Sequence, residues 1–158
     1  MKRMWTLLKK DIWTSFTDKT ILLMAFTPAI LAMIFRMVYF DPWMLILTTG
    51  LFNIVLVPLT DFPLLLVEEK ERDTLSLLSR SGVTLAQFAA AKAVACLVVG
   101  ELMAVVVFLI AGADMSLLPE YLLIHLAGVT ALLPWGFLTG VYAKDQNSVN
   151  VYAAISVV

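Results

Sequence analysis

Residues 20–40 read TILLMAFTPAILAMIFRMVYF, 21 consecutive positions with one charge, Arg36. A soluble core element seldom stays apolar for so long. As a helix rising 1.5 Å per residue, the run crosses the roughly 30 Å of a bilayer's hydrocarbon. Three further runs repeat the pattern: 43–67, WMLILTTGLFNIVLVPLTDFPLLLV; 88–112, FAAAKAVACLVVGELMAVVVFLIAG; and 121–143, YLLIHLAGVTALLPWGFLTGVYA. Composition points the same way, with 61% hydrophobic and 15% charged residues, against about 45–50% and 25% in soluble domains. The expected fold class is therefore all-α, a polytopic helical membrane protein with four full spans.

Two segments flank these spans. In residues 1–19, Met1, Trp5, Leu8, Ile12 and Phe16 recur at helical spacing and form one apolar stripe, with Lys2, Lys9 and Lys10 largely off it. The pattern predicts an amphipathic helix lying in the membrane interface, tryptophans at headgroup level and lysines toward anionic lipid. It is not a secretory signal, because charges interrupt it before any apolar core. Residues 149–158 open another apolar run, too short to cross, and read as the start of a fifth span.

Orientation follows from the cations. Ten of the eleven Lys and Arg residues, all but Arg36, fall on one side of this topology. The positive-inside rule then places the amino terminus and the 68–87 segment in the cytoplasm of a multi-pass cell-membrane protein. Arg36 is a turn from the opposite exit and is expected to snorkel to the interface.

Within the spans, ionisable side chains are costly and stand out. Glu101 lies halfway along the third span, so it is expected to be neutral, paired or facing a cavity, in a transport pathway or a helix pair. Asp61 sits between Pro58 and Pro63, whose missing backbone donors predict a bent or broken inner half of the second span. His125 lies toward the outer end of the fourth span, where a polar contact between helices is the simpler reading and proton relay the alternative. Gly136 and Gly140 form a small-residue pair that lets another helix approach closely. The lone cysteine, Cys96, reads as a buried small hydrophobe. No metal spacing, phosphate loop or catalytic nucleophile motif is found, and the net charge of −1 gives no sign of nucleic-acid binding.

The segment 68–87 opposes the rest of the chain. Its first fifteen residues, EEKERDTLSLLSRSG, carry seven charges. Asp73 or Thr74 can cap a short helix through Leu75 and Leu78, Gly82 suits a left-handed stop, and Thr84-Leu85-Ala86-Gln87 has the capping-box pattern. An ordered elbow with an exposed charge cluster and a leucine edge is predicted. Spacing alone leaves two roles open, a solvated anchor or a docking surface for a partner.

The run EEKERDTLSLLSRSGVTLAQFAAAK, residues 68–92, resembles the cytoplasmic elbow of type-2 ABC exporter permeases. The matching positions are Glu68, Glu69, Lys70, Glu71, Thr74, Leu75, Leu78 and Lys92. Asp73 stands where that family has glycine, and Gly82 where it has proline. Residues 136–158, GFLTGVYAKDQNSVNVYAAISVV, are similar to the family's fourth span, polar turn and start of the fifth. The resemblance implies a single permease domain over 1–158, with six spans in the complete protein. It implies pairing with a second permease half, as homodimer or heterodimer, and with two cytoplasmic ABC ATP-binding subunits that hold ATP and Mg, so this chain needs no cofactor or catalytic residue. Coupling to the ATPase would fall to Glu68, Glu69, Glu71, Arg72, Thr74, Leu75, Leu78 and Gly82. The cargo would be a drug, antimicrobial peptide or lipid-like amphiphile. The alternatives are a non-transporting membrane anchor and an intramembrane protease. For the protease, Glu68, Glu69 and Arg72 are one residue short of the needed spacing, and His125 is the single histidine.

Overall fold

The computed structural model describes residues 2–38, 41–74 and 80–157, with side chains from Met4 to Ala153. Every regular element among them is helical. The helices are α1 (Lys2–Thr17), α2 (Lys19–Arg36), α3 (Pro42–Leu56), α4 (Phe62–Glu71), α5 (Leu85–Ala111), α6 (Leu118–Tyr142) and α7 (Gln146–Val157). A π turn, Val57–Asp61, joins α3 to α4 without a break, and a 3₁₀ turn, Met115–Leu117, leads into α6.

Four stretches are long and apolar enough to cross a membrane: Lys19–Arg36, Pro42–Glu71, Leu85–Ala111 and Met115–Tyr142. The chain is an all-α multi-pass membrane protein. Large apolar side chains such as Leu23, Met33, Leu51, Leu102, Leu123 and Ile124 are exposed along these helices. Such an apolar exterior is stable in lipid and costly in water.

Local chemistry sets the boundaries. Asp18 ends α1 and caps α2, its Oδ1 accepting from the N–H groups of Thr20 at 3.0 Å and Ile21 at 3.3 Å. Asp41 accepts from Trp43 N–H at 3.0 Å, and Pro42, which has no N–H to satisfy, opens α3. Thr84 and Gln87 close the predicted capping box, each side chain bonding the other's backbone N–H at 3.2 Å. At the far end of α5, Gly112 turns left-handed at φ 71°, a conformation glycine adopts without a Cβ clash.

The second crossing is the central one, with 72% of its apolar stretch buried, against 22% to 44% for the other three. It is one continuous helix of 30 residues rather than a broken one. Pro58 and Pro63 cannot donate, and the chain absorbs this by widening: Phe62 N–H bonds the Val57 carbonyl, five residues back. The Val57 carbonyl also accepts from Cys96 Sγ at 3.4 Å, so the buried thiol helps satisfy the widened turn.

The glycines of α6 receive this helix. A Cβ at Gly136 would overlap the Pro58 carbonyl oxygen, and one at Gly140 would stand 2.5 Å from Leu66 Cδ1. The predicted close approach at this pair is thus made by α4 and the π turn of the same chain. The main core, with Ile21, Val57, Leu64, Leu65, Val67, Phe88 and Cys96, lies at this level. A smaller one, with Leu45, Ile46, Val107 and Phe108, lies toward the other end.

Helix α1 packs chiefly on α5. Its buried face is Leu7, Asp11, Thr14 and Ser15, while Trp5, Trp13 and Phe16 are exposed. An ordinary amphipathic helix would bury its aromatic stripe against the protein. Here the expected apolar stripe is split: Leu8 and Ile12 pack on the core beside Asp11, Thr14 and Ser15, while Trp5 and Phe16 face outward.

Candidate functional site

The inward face of α1 meets the end of α4 and the start of α5 in a compact charge cluster. Lys92 is 1% exposed, and its Nζ donates to Asp11 Oδ1 at 2.8 Å and to Glu69 Oε1 at 3.2 Å. Lys10 reaches the same Glu69 oxygen at 2.5 Å, and Thr74 Oγ1 donates to Glu69 Oε2. Arg72 Nε stands 3.1 Å from Glu68 Oε1 in an i,i+4 ion pair outside hydrogen-bond geometry. Three carboxylates, Asp11, Glu68 and Glu69, thereby face three cations, Lys10, Arg72 and Lys92, and the cluster is neutral.

Burial opposes that pairing. It pushes the Asp11 carboxyl above the usual carboxylate range, and the neighbouring Lys92 ammonium works against the rise. Buried ions are tolerated when they are paired and hydrogen-bonded, and removing one partner leaves an uncompensated charge. The cluster therefore fastens α1, α4 and α5 together in a way that depends on all its members.

The next charges along α4 extend the fastening. Lys70 Nζ donates to the carbonyls of Gly140 at 2.7 Å, Val141 at 2.7 Å and Ala143 at 2.9 Å, at the carboxyl end of α6. A cation there also meets the negative end of the helix dipole. Glu71 Oε1 accepts from Gln146 N–H at 3.0 Å, at the amino end of α7. Asp145 completes that end, accepting from Ser148 N–H at 2.7 Å and Oγ at 2.6 Å, which holds its carboxyl below the ordinary range.

The charge run predicted to be exposed is divided: its first two acids turn into the fold, whereas Glu71, Arg72, Asp73 and Arg80 stay exposed. Glu68 and Glu69 are buried, Thr74 is half-buried on Glu69, and Glu71 and Arg72 are exposed. Gly82 is exposed and left-handed at φ 73°, as its position suggested. Asp73 is left-handed too, at φ 52°. Leu75 and Leu78 lie outside the described residues. The reason for the inward turn is the central position of α4, flanked by helices that each offer an opposite charge or a helix end.

Of the ionisable residues within the spans, the structure brings two together. His125 Nδ1 lies 2.8 Å from Glu101 Oε1, bridging α5 and α6. Asp61 is held apart from them in the π turn, where Thr60 Oγ1 stands 3.3 Å from its Oδ1. Arg36 is exposed, its guanidinium beside Gly112. Asn53, buried, and Tyr121, half-buried, which composition did not single out, lie near this pair. Asn53 Nδ2 donates to the Gly100 carbonyl at 3.3 Å, and the Tyr121 ring lies tilted 41° to His125 with centroids 6.2 Å apart.

Four residues of the larger cluster, Lys10, Asp11, Lys70 and Lys92, were not among the expected site residues, although Lys70 and Lys92 are positions that carry the family resemblance. The signal for Asp11 is faint but physical: it is the lone acid inside a helix whose other charges are basic. Among the described residues, no group of three or more His, Cys, Asp or Glu side chains is arranged to hold a metal ion.

The fold and the cluster define a class: a multi-pass helical membrane protein whose charged residues knit one end of the bundle. Comparisons with protein-family models, with curated proteins and with solved structures find no match to this chain.

Proposed function

We propose that the chain is a permease subunit of an ATP-driven exporter of the type-2 ABC class, moving an amphiphilic or hydrophobic cargo across the cytoplasmic membrane. ATP and Mg bind on two separate ATP-binding subunits, and a second permease half completes the pathway. The segment 68–87 is the lever on which those subunits act, at the cytoplasmic side where the positive-inside rule sets it.

The observation that carries this reading is the charge cluster. Glu68 and Glu69 open the elbow and Lys92 follows it, and Lys92 and Glu69 are bonded to each other and to α1. A displacement of the elbow is therefore delivered to α1, α4 and α5 together, through ion pairs that cannot be separated without a large cost. Backbone geometry adds support. Where this chain departs from the family's glycine, at Asp73, the backbone is left-handed at φ 52° all the same, a conformation aspartate tolerates better than most residues. The bend thus keeps a glycine-like turn despite the changed residue.

The test is association followed by coupling. The chain is purified with the ATP-binding subunit encoded beside it, and ATPase rates are compared for wild type, Glu71→Ala and Leu78→Ala. Co-purification with a rate altered by these changes is expected. Failure to associate, or a rate indifferent to both substitutions, removes the proposal.

A further inference from the structure

Helices α3 and α6 run side by side in the same direction. A Cβ at Gly50 would stand 3.2 Å from Tyr121 Oη, and further along Gly128 meets Ile54 and Gly136 meets Pro58. At the end away from the charge cluster the two helices enclose a pocket of about 180 Å³, walled by Trp43, Leu47 and Leu51 on α3 and by Glu120, Tyr121 and Ile124 on α6. Phe108 of α5 adds a third wall, its ring centroid 5.4 Å from that of Tyr121. Leu47, Leu51 and Ile124 are each more than half exposed, so the pocket opens sideways, toward lipid. It reaches from Trp43 to Ile54, about 16 Å along α3.

The polar groups of this pocket gather at one end. Trp43 and Glu120 belong to the first turns of α3 and α6, whereas the deeper part, by Leu51, Ile54 and Ile124, is aliphatic. Two other acids at this end of the bundle serve as caps: Asp41 accepts from Trp43 N–H, and Asp114 accepts from Ser116 N–H at 3.0 Å. Glu120 is exposed and, among the described residues, has no hydrogen bond or ion pair. Tyr121 Oη is buried and also lacks a hydrogen-bond partner among them. A carboxylate and an unpaired hydroxyl are both acceptors, and an indole face attracts a cation. Together they suit a cationic head that donates hydrogen bonds, and the aliphatic slot leading away from them suits its chain.

We propose that this pocket binds a membrane lipid with a primary ammonium head. The ammonium donates to the Glu120 carboxylate and to Tyr121 Oη, with the Trp43 ring beside it. One acyl chain lies along Leu51, Ile54 and Ile124. A quaternary ammonium has no N–H to donate, so the pocket distinguishes an ethanolamine head from a choline head of the same net charge. The binding does not depend on the permease reading, and the failure of either leaves the other standing.

Trp43 lines the pocket and can report on it. Replacing the exposed Trp5, Trp13 and Trp135 by Phe leaves it as the sole tryptophan. This chain is reconstituted in vesicles, with no ATP-binding subunit present, and its fluorescence is followed as brominated phosphatidylethanolamine is diluted into phosphatidylcholine. The measurement is repeated with the bromines on the phosphatidylcholine instead. Quenching by the brominated ethanolamine lipid should exceed its mole fraction, with a preference over choline of roughly threefold, the scale of one exposed charged pair. Glu120→Gln should bring that preference to about one, and because Glu120 is exposed and unpaired the substitution leaves the fold intact. A companion chain that keeps Trp135 and carries Trp43→Phe should show no preference. Quenching that follows mole fraction for both lipids overturns the proposal. So does a preference that survives Glu120→Gln, or an equal one at Trp135, which would mark a property of the bilayer rather than of the pocket.

Discussion

Replacing Lys92 by methionine nearly keeps the volume of an unbranched side chain and removes the ammonium. In the native fold that ammonium sits 2.8 Å from Asp11 Oδ1 and 3.2 Å from Glu69 Oε1, with all three side chains essentially inaccessible to water. Glu69 retains Lys10 and Thr74. Asp11 retains no partner of comparable strength, and its Oδ2 already lacks a hydrogen bond among the described residues. The expected cost is the removal of one member of a buried ion pair, about 3–5 kcal/mol. Its physical form is the detachment of α1, since Asp11 is the charged anchor of that helix. Two readouts follow in detergent or nanodiscs. Equilibrium unfolding should show the loss of stability, and proteolysis should cut α1 faster in the variant. The double variant Lys92→Met with Asp11→Leu removes both charges and should recover most of the loss, because an apolar pair of similar volume replaces a buried ionic one at little net cost. A single variant within about 1 kcal/mol of wild type, the range of an exposed pair, would refute the claim that this cluster holds α1. A double variant worse than the single one would do the same.

Three further outcomes are expected. Gly136→Ala should destabilise the fold by about 1–3 kcal/mol or more, since its Cβ meets the Pro58 backbone rather than a side chain that could swing away; a thermal melt unchanged from wild type would contradict the packing of α6 on the π turn. Thr84→Ala removes one half of the capping box and should cost about 0.5–2 kcal/mol, read as faster amide exchange in the first turn of α5, with Thr84→Asp close to wild type. Asp145 has its folded pKa below the ordinary 3.8, so its capping of α7 is present above that pH and is lost as pH falls through the lower folded value. Amide protection at Ser148 should fall on acidification in the wild type and not in Asp145→Asn.

The spans were legible because bilayer crossing is a one-dimensional property. Length and apolarity suffice, and the expected 43–67 and 121–143 correspond to helices at Pro42–Glu71 and Met115–Tyr142. The capping box at Thr84 and the left-handed backbone at Gly82 were legible for a related reason, since each is a property of a few adjacent residues. Partners distant along the chain were not legible. Asp11 and Lys92 are 81 residues apart, and nothing local in KKDIWT says that the acid faces inward. The same limit hid the pairing of Glu101 with His125, although each was conspicuous alone. At Pro58 and Pro63, local reasoning saw the missing donors but not the wider turn that compensates for them. That turn depends on Cys96 and the glycines of α6, which lie well beyond any local window.

An ammonium group has three protons, and Lys70 gives one to each of three carbonyls at the end of α6. This is a tripod, and it fits one rotational setting and one height. Sliding α6 past α4 by a single turn, about 5.4 Å, would leave the cation without acceptors and the carbonyls without donors. The two helices are therefore pinned in register as firmly as a pair of teeth on one gear. A planar guanidinium directs its donors as a flat fork and cannot reproduce the tripod. Arginine at this position, though it preserves the charge, would release the pin.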